Sequence, residues 1–110
     1  MKISDIVTGL DLKVISGQKG LSNVVTGGYV SDLLSDVMGN AKEGQVWITL
    51  QTHQNIIAVG SLKDLSAIII VKGFVPEADT IEKSNIENIP LLSTDMDTFN
   101  IAGRLFELLY

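Results

Sequence analysis

The lone histidine, His53, is the only candidate for a general base that the sequence offers. It lies beside Thr52, directly after a predicted strand and before a predicted helix. An imidazole in this position could take up a proton or contact a bound anion. A general base also needs an orienting partner and a nucleophile or activated water, and the sequence identifies neither. A surface histidine near the start of a helix is therefore the alternative interpretation.

A lysine ends the most apolar stretch of the chain. Lys72 and Gly73 follow the run 67–71 (AIIIV), so Lys72 could mark the point where a buried strand reaches water. In open parallel sheets, however, ligands bind just beyond the carboxyl ends of the strands. If the strands here are parallel, one edge carries three loops, around Thr52-His53, Lys72-Gly73 and Thr94-Asp95. The lysine, two helix N-termini and the threonines could then hold a small anion.

Other spacings fit known chemistry less well. The chain lacks both G-x-G-x-x-G and G-x-x-x-x-G-K-[ST], and Thr26-Gly27-Gly28-Tyr29 is too short for a phosphate loop and has no lysine. That stretch favours a bulge or a close backbone approach within a strand. Asp32, Asp36 and Asn40 are spaced by four like ligands of a hard cation, but solvated helix faces show the same spacing. We therefore predict no metal site, no cofactor and no catalytic residue.

Composition excludes several classes of protein. The 110 residues include no cysteine and only one histidine, which excludes disulfides, thiolate zinc sites and multi-histidine metal sites. The formal net charge is −5, and the eight basic residues are dispersed, so no stripe for nucleic acid is present. The longest apolar run, 67–71, is too short to span a membrane. The first residues do not resemble a signal peptide, and we expect a cytoplasmic protein.

Apolar periodicity and turn residues predict the elements that position these side chains. The expected helices cover 3–10, 32–38 with Ser31 as N-cap, 54–63, a segment with Pro76 at its first position, and Asp97 or Thr98 to Tyr110. The expected extended segments are 12–16, 23–30, 45–50, 67–71 and 91–93, with Gly17 and Gly20 both able to take positive φ in the first turn. Trp47 and Ile48 should face opposite sides of the sheet. The apolar residues 105–110 could belong to the core or to a dimer interface.

This order of elements indicates an α/β fold, a small and mainly parallel sheet with helices on both faces, in a single domain over 1–110. The sequence also resembles the DRTGG domain family over about residues 3–108. The resemblance rests on the stretches 29–38 (YVSDLLSDVM), 44–49 (GQVWIT), 67–76 (AIIIVKGFVP), 89–92 (IPLL) and 97–99 (DTF). It implies a fold similar to the N-terminal domain of HPr kinase/phosphorylase. It also implies a regulatory or dimerising module of the kind attached to phosphotransacetylase-like proteins and pyrophosphatases.

The chain departs from the family pattern at the signature itself. Thr52-His53 stands where the family has its Asp-Arg pair, and Val71-Lys72-Gly73 stands where it has Thr-Gly-Gly, whereas Asp97-Thr98 is retained. These departures imply a ligand lost or exchanged, or a signature that only shapes a turn. The candidate ligand-binding residues are therefore Thr52, His53, Lys72, Gly73, Thr94, Asp95, Asp97 and Thr98.

We expect a stand-alone regulatory or interaction domain without catalysis, acting as a homodimer or with a protein partner. The alternative is a sensor that binds a small anion or a nucleotide at the carboxyl edge of the parallel strands. The absence of a phosphate loop argues against a kinase activity.

Overall fold

Five short strands form one sheet at the centre of the protein. The computed structural model describes all residues, Met1–Tyr110. In chain order the elements are α1 (Ile3–Leu10), β1 (Lys13–Ser16), a 3₁₀ turn (Gln18–Gly20), β2 (Gly27–Val30), α2 (Leu34–Asn40), β3 (Gln45–Thr49), α3 (Asn55–Leu62), β4 (Ala67–Ile70), α4 (Ala78–Glu87), β5 (Leu91–Ser93) and α5 (Thr98–Leu109).

The sheet has the order β1-β5-β4-β3-β2, in which β2 to β5 run parallel and β1 pairs antiparallel with β5. The central strand β4 consists only of buried residues, and its Ile69 lies opposite both Ile48 and Leu92. An uninterrupted β-branched run is typical of a strand covered by helices on both faces. The predicted α/β class with a mainly parallel sheet is confirmed.

The two faces of the sheet carry separate apolar layers. Helices α1 and α5 cover one face, where Ile101 and Leu105 belong to the same buried cluster as Ile48 and Ile69. Helices α2, α3 and α4 cover the other face, which includes Trp47. Strand alternation therefore separates Trp47 from Ile48, as predicted. The buried indole of Trp47 donates a hydrogen bond to the Ser31 carbonyl oxygen at 2.8 Å, which satisfies its N–H.

The start of helix α2 differs from the prediction. The helix begins at Leu34 instead of residue 32, because the Ser31 hydroxyl accepts a hydrogen bond from the Leu33 N–H at 3.1 Å and forms a turn ahead of the helix. Asp32 lies before the helix, and its carboxylate accepts hydrogen bonds from Thr49 and Leu50, both at 2.9 Å. Asp32, Asp36 and Asn40 therefore do not share one helix face.

Helix α4 also begins later than predicted. Its N-cap is Glu77, so Pro76 lies before the helix and does not occupy its first turn. The Glu77 backbone is extended, with ψ of 155°, and its N–H donates to the Thr52 carbonyl at 3.2 Å. This long-range bond anchors the extended residue 77 ahead of the helix. None of the helices combines the length and the apolar character that crossing a bilayer requires.

Glycines allow two close approaches. Gly17 has φ of +74°, and a Cβ there would lie 2.2 Å from the Ile89 carbonyl oxygen. Gly20, by contrast, does not use the positive φ that the sequence allows. Strand β2 pairs with β3 in regular register, so Gly27 and Gly28 form no bulge. Gly28 instead makes room for a side chain, because a Cβ there would lie only 3.2 Å from the Leu105 side chain in helix α5.

Candidate functional site

The carboxyl ends of β3, β4 and β5 lie side by side, and the loops that follow them contain the predicted ligand-binding residues. These loops cover residues 50–54, 71–77 and 94–97, and Thr98 begins helix α5. The parallel topology therefore brings all eight candidates to one edge of the sheet.

Hydrogen bonds join the β4 and β5 loops at this edge. The Lys72 N–H donates to the Met96 carbonyl and the Gly73 N–H to the Thr94 carbonyl, both at 2.9 Å. Lys72 and Gly73 have φ of +60° and +68°, two consecutive left-handed residues that turn the chain back. The Lys72 side chain remains exposed, and Thr94 is buried. A Cβ on Gly73 would lie 2.9 Å from the Asp95 carboxylate, so this glycine makes room for Asp95.

Thr52 and His53 bond to residues at the starts of helices α4 and α3, and neither bonds to Lys72 or Gly73. The Thr52 carbonyl accepts hydrogen bonds from the Glu77 N–H at 3.2 Å and the Thr80 hydroxyl at 2.7 Å, which attaches the β3 loop to α4. The exposed His53 accepts a hydrogen bond at Nδ1 from the Asn55 N–H at 3.1 Å. In the neutral ring the proton therefore resides on Nε2.

Two of the helices that begin at this edge, α3 and α5, have an N-terminal backbone donor bonded to a side chain of the same chain. His53 occupies the Asn55 N–H at the start of α3, and the Asp97 carboxylate caps α5 by accepting from the Asn100 N–H at 2.8 Å. An N-cap carboxylate takes up a backbone donor and offsets the positive end of the helix. The retained Asp97-Thr98 pair therefore has a structural explanation, and the anion donors expected here are partly occupied.

The three principal cavities of the protein do not include any of the eight predicted residues. The largest, of about 540 Å³, lies at the opposite edge of the sheet, and we call it the amino-end cleft. Its lining residues precede the parallel strands or end helices: Asn23, Val24, Thr26, Glu43, Gly44, Gly60, Ser61, Asp64, Leu65, Ser66, Glu87, Asn88 and Ile89. The sequence analysis missed these residues because each one, taken alone, is typical of an ordinary turn or helix end.

A second cavity, of about 270 Å³, lies between helix α5 and strand β2. We call it the α5–β2 surface. Its lining consists of one glycine and seven apolar residues: Gly28, Val30, Ile48, Ala102, Leu105, Phe106, Leu109 and Tyr110. Leu105 is buried in the core, whereas 66% of Phe106 and 78% of Tyr110 are exposed. Their ring centroids are 4.9 Å apart. The apolar C-terminus thus divides between core and surface.

An ionisable pair lies beside β2. The Tyr29 hydroxyl donates to the Asp36 carboxylate at 2.9 Å, and Asn40 donates to the same carboxylate at 3.0 Å. The Ser31 hydroxyl, followed by that of Tyr29, lowers the pKa of Asp36 below its ordinary value of 3.8. The hydrogen bond between Tyr29 and Asp36 raises the pKa of Tyr29 above its ordinary value of 10.0. These contacts give Asp36 a local structural role.

Comparison with known proteins places the fold in a family. The DRTGG domain profile matches residues 5–108, nearly the whole chain. The chain belongs to the DRTGG domain family. In this DRTGG domain the hydrogen bonds described above show how Thr52-His53 and Lys72-Gly73 fit into their loops. No curated protein matches the sequence.

A solved structure has a similar fold. It comprises the CBS and DRTGG domains of the regulatory region of Clostridium perfringens pyrophosphatase, in complex with the activator diadenosine tetraphosphate. The two chains are 20% identical, with a TM-score of 0.72 over 94% of this chain. This DRTGG domain corresponds to 45% of the length of that chain. The likeness supports the α/β fold, and in that pyrophosphatase the DRTGG domain belongs to a regulatory region.

Proposed function

We propose that this DRTGG domain is a non-catalytic regulatory module that associates with a second copy of itself through the α5–β2 surface. The observation that carries the proposal is the combination of an unpaired strand edge with exposed apolar side chains beside it. Strand β2 ends the sheet, so one side of its backbone has no neighbouring strand. Val30 is 48% exposed next to Phe106 and Tyr110.

The other end of the sheet differs from β2 in ways that disfavour pairing. Strand β1 carries the exposed Lys13, and its end is attached to helix α4 by the Ser16–Ser84 hydroxyl bond and by Gly17 N–H donating to Asn85 at 2.8 Å. Charged residues and covering elements protect a strand edge from association. Strand β2 (GGYV) has no charged residue. The proposed partner therefore docks on β2.

Pairing of β2 with its own copy across a two-fold axis would extend the sheet and align the two α5 helices. Helix α5 packs over β2 through Leu105 and Gly28. An axis perpendicular to the sheet keeps both α5 helices on the same face, side by side. Phe106 and Tyr110 would then lie between the helices, where their exposed surface is removed from water.

The oligomeric state tests this proposal. Size-exclusion chromatography with light scattering should give twice the 11.9 kDa of one chain. Phe106→Lys should raise the dimer dissociation constant at least about 100-fold, because two phenylalanine contacts are lost per dimer. Val30→Lys should act in the same direction.

Val75→Lys is the matched control, since Val75 is 79% exposed and lies in the loop after the central strand β4, outside the α5–β2 surface. A monomer at high micromolar concentration, or an equal effect of Val30→Lys and Val75→Lys, would contradict the dimer.

A second candidate function is binding of a nucleotide or small anion at the carboxyl edge. The exposed Lys72 in a left-handed turn beside the β5 loop favours it, as does the usual position of ligands in parallel sheets. The ligand of the pyrophosphatase regulatory region is itself a nucleotide. The proposed contacts are Lys72, Gly73 and the backbone around Thr94-Asp95 and Asp97-Thr98, with Thr52-His53 at the rim.

Amide chemical-shift mapping with ATP, diadenosine tetraphosphate and inorganic phosphate tests this candidate. The expected shifts cover residues 72–74 and 94–98. Lys72→Gln should weaken binding by about three- to tenfold, as expected for one charged contact that is partly screened by water. Lys13→Gln is the control, because Lys13 is an exposed lysine on β1. Absence of shifts at millimolar ligand, or equal weakening by both variants, would refute it.

The proposed module has no catalytic activity of its own. His53, the candidate base, accepts a backbone hydrogen bond at Nδ1 and thereby orders the start of helix α3. This bond supports a structural role for the residue.

A further inference from the structure

Helix α5 carries a row of exposed aromatic side chains along its whole length. Phe99, Phe106 and Tyr110 are separated by seven and four residues, a spacing that places them on one side of an α-helix. Phe99, at 87% exposure, is the most exposed large apolar side chain of the protein. The two charged residues of the helix, Arg104 and Glu107, lie off this row. We call Phe99, Phe106 and Tyr110 the aromatic face of α5.

The fold of the single chain does not cover the aromatic face. The opposite side of α5 packs on the sheet through Ile101 and Leu105, whereas the three aromatic residues belong to neither buried apolar layer. An exposed apolar row of this size, with charged residues only beside it, is typical of a surface that another protein covers.

A glycine interrupts the aromatic face near the middle of the helix. Gly103 lies four residues after Phe99 and three before Phe106, so it falls in the same row. Its φ is not positive, and a Cβ there would meet nothing within 4 Å. Because glycine weakens a helix relative to alanine, a reason for it is expected, and no contact within this chain provides one. A second helix lying against the row would come closest at Gly103.

The position of α5 over β2 brings Gly103 close to the middle of the free strand edge. A Cβ on Gly27 would lie 3.5 Å from the Tyr110 hydroxyl, and one on Gly28 would lie 3.2 Å from the Leu105 side chain. Helix α5 therefore runs antiparallel to β2, and residues just before Leu105 lie beside the middle of the strand. A two-fold axis through the middle of β2 consequently passes beside Gly103.

We infer that the aromatic face packs against the same face of a second copy, with the two α5 helices antiparallel and closest at Gly103. Phe99 then lies beside the partner's Phe106, because aromatic residues flank the glycine on both sides and an antiparallel copy sets them opposite one another. This inference rests on the proposed function, whose two-fold axis it shares. It adds Phe99 and Gly103, which do not line the α5–β2 surface.

The area available supports a second copy as the occupant. A buried aromatic side chain removes about 150–250 Å² from water, so the aromatic faces of two copies together bury roughly 900 Å². The smallest standard interfaces bury about 1,200 Å². The exposed Val30 and the paired edges of β2 lie beside the helices and supply further area.

Cysteine cross-linking tests the contact, because the chain has no cysteine of its own. Gly103→Cys places one thiol at the expected point of closest approach, where two Cα atoms about 7 Å apart or less can be joined by a disulfide. Under copper-phenanthroline oxidation this variant should form a covalent dimer at least about tenfold faster than Asn100→Cys or Glu107→Cys. Both control positions are exposed on α5 but lie off the aromatic face.

A leucine at the same position gives a second test without oxidation. Gly103→Leu should raise the dimer dissociation constant at least about tenfold, because its side chain holds the helices apart. In the separate chains leucine favours helix α5, so its effects on folding and on association have opposite signs. Asn100→Leu is the matched control and should leave the dissociation constant unchanged.

The outcomes separate this inference from the proposed dimer. If the wild type is a dimer by light scattering but the three cysteine variants cross-link at equal rates, the inference is wrong and the dimer stands. The same holds if Gly103→Leu associates as tightly as Asn100→Leu. A monomeric wild type overturns both.

Discussion

The loops at the two ends of the parallel strands differ in conformation, and only the amino end has a large cleft. At the carboxyl end, Lys72 and Gly73 bond to the β5 loop and Thr52 bonds to α4, so the loops are held to one another. At the amino end, the loops carry Gly44, Asp64 and Asn88 in left-handed conformations, and they surround an open cleft. The usual position of ligands in parallel sheets therefore does not coincide with the largest cavity here. Hydrogen bonds join the loops at both edges, for example from the Gly44 N–H to the Asp64 carbonyl at 2.9 Å, so the cleft follows from the path of the left-handed turns and not from missing bonds.

The largest expected effect concerns the wall of the amino end. Gly17→Ala should lower the free energy of unfolding by roughly 2–4 kcal/mol, because φ is +74° and the new Cβ would collide with the Ile89 carbonyl. Ile89 also lines the cleft, so the substitution should disturb the cleft as well. Urea unfolding of the variant measures the loss.

Gly103→Ala provides the matched control, since a Cβ there meets nothing within 4 Å in helix α5. It should raise the free energy of unfolding by about 0.5–1 kcal/mol through helix propensity. Equal unfolding free energies of the two variants would mean that the amino-end loops accommodate the new Cβ by a small shift. That result would contradict the difference between the two ends.

A smaller loss is expected from the attachment at the carboxyl end. Thr80→Val removes the buried hydroxyl that donates to the Thr52 carbonyl and should cost about 1–2 kcal/mol of unfolding free energy. Thr8→Val is the control, because the Thr8 hydroxyl bonds an exposed carbonyl within α1. If both variants unfold at the same denaturant concentration, the β3 loop does not depend on α4.

The cap of helix α5 should contribute about 1 kcal/mol. Asp97→Ala removes the acceptor of the Asn100 N–H, a loss typical of an N-cap. Asp95→Ala, an exposed neighbour in the same loop, should change stability much less. The variant without the cap should also bind phosphate at the carboxyl edge more tightly, because a backbone donor becomes available and a negative charge is removed. Unchanged stability would show that Asp97 is not a structural cap.

The smallest effect is the pH dependence of the Asp36 cluster beside β2. The folded-state pKa of Asp36 lies below 3.8, so its contribution is present above that pH and is lost as the pH falls through the folded pKa. The Tm difference between the wild type and Asp36→Asn should therefore shrink on acidification below pH 3.8. For Tyr29, whose pKa is raised, the contribution is present below pH 10.0 and is lost as the pH rises through the folded value. A difference independent of pH on the acid side would exclude this role for Asp36.

Local sequence patterns determined most of the elements but not the starts of two helices. Ser31 and Pro76 are good helix-start residues by type, yet α2 and α4 begin later: the Ser31 hydroxyl forms a local turn with Leu33, and distant groups bond to the residues ahead of each helix. The Glu77 N–H bonds to Thr52, and the Asp32 carboxylate bonds to Thr49 and Leu50. Such partners are 17 or more residues away along the chain, and local periodicity carries no information about them.

The sequence by itself determined the α/β class, the buried central strand and the edge at which Lys72 and Thr94 meet. The physical reason is that apolar periodicity records which faces must leave water, and parallel strands align their ends. Only the tertiary structure decided that β2 ends the sheet beside the exposed Phe106 and Tyr110, and that the largest cavity opens at the opposite edge. Both depend on strand order and on long-range hydrogen bonds, which join residues far apart in the chain.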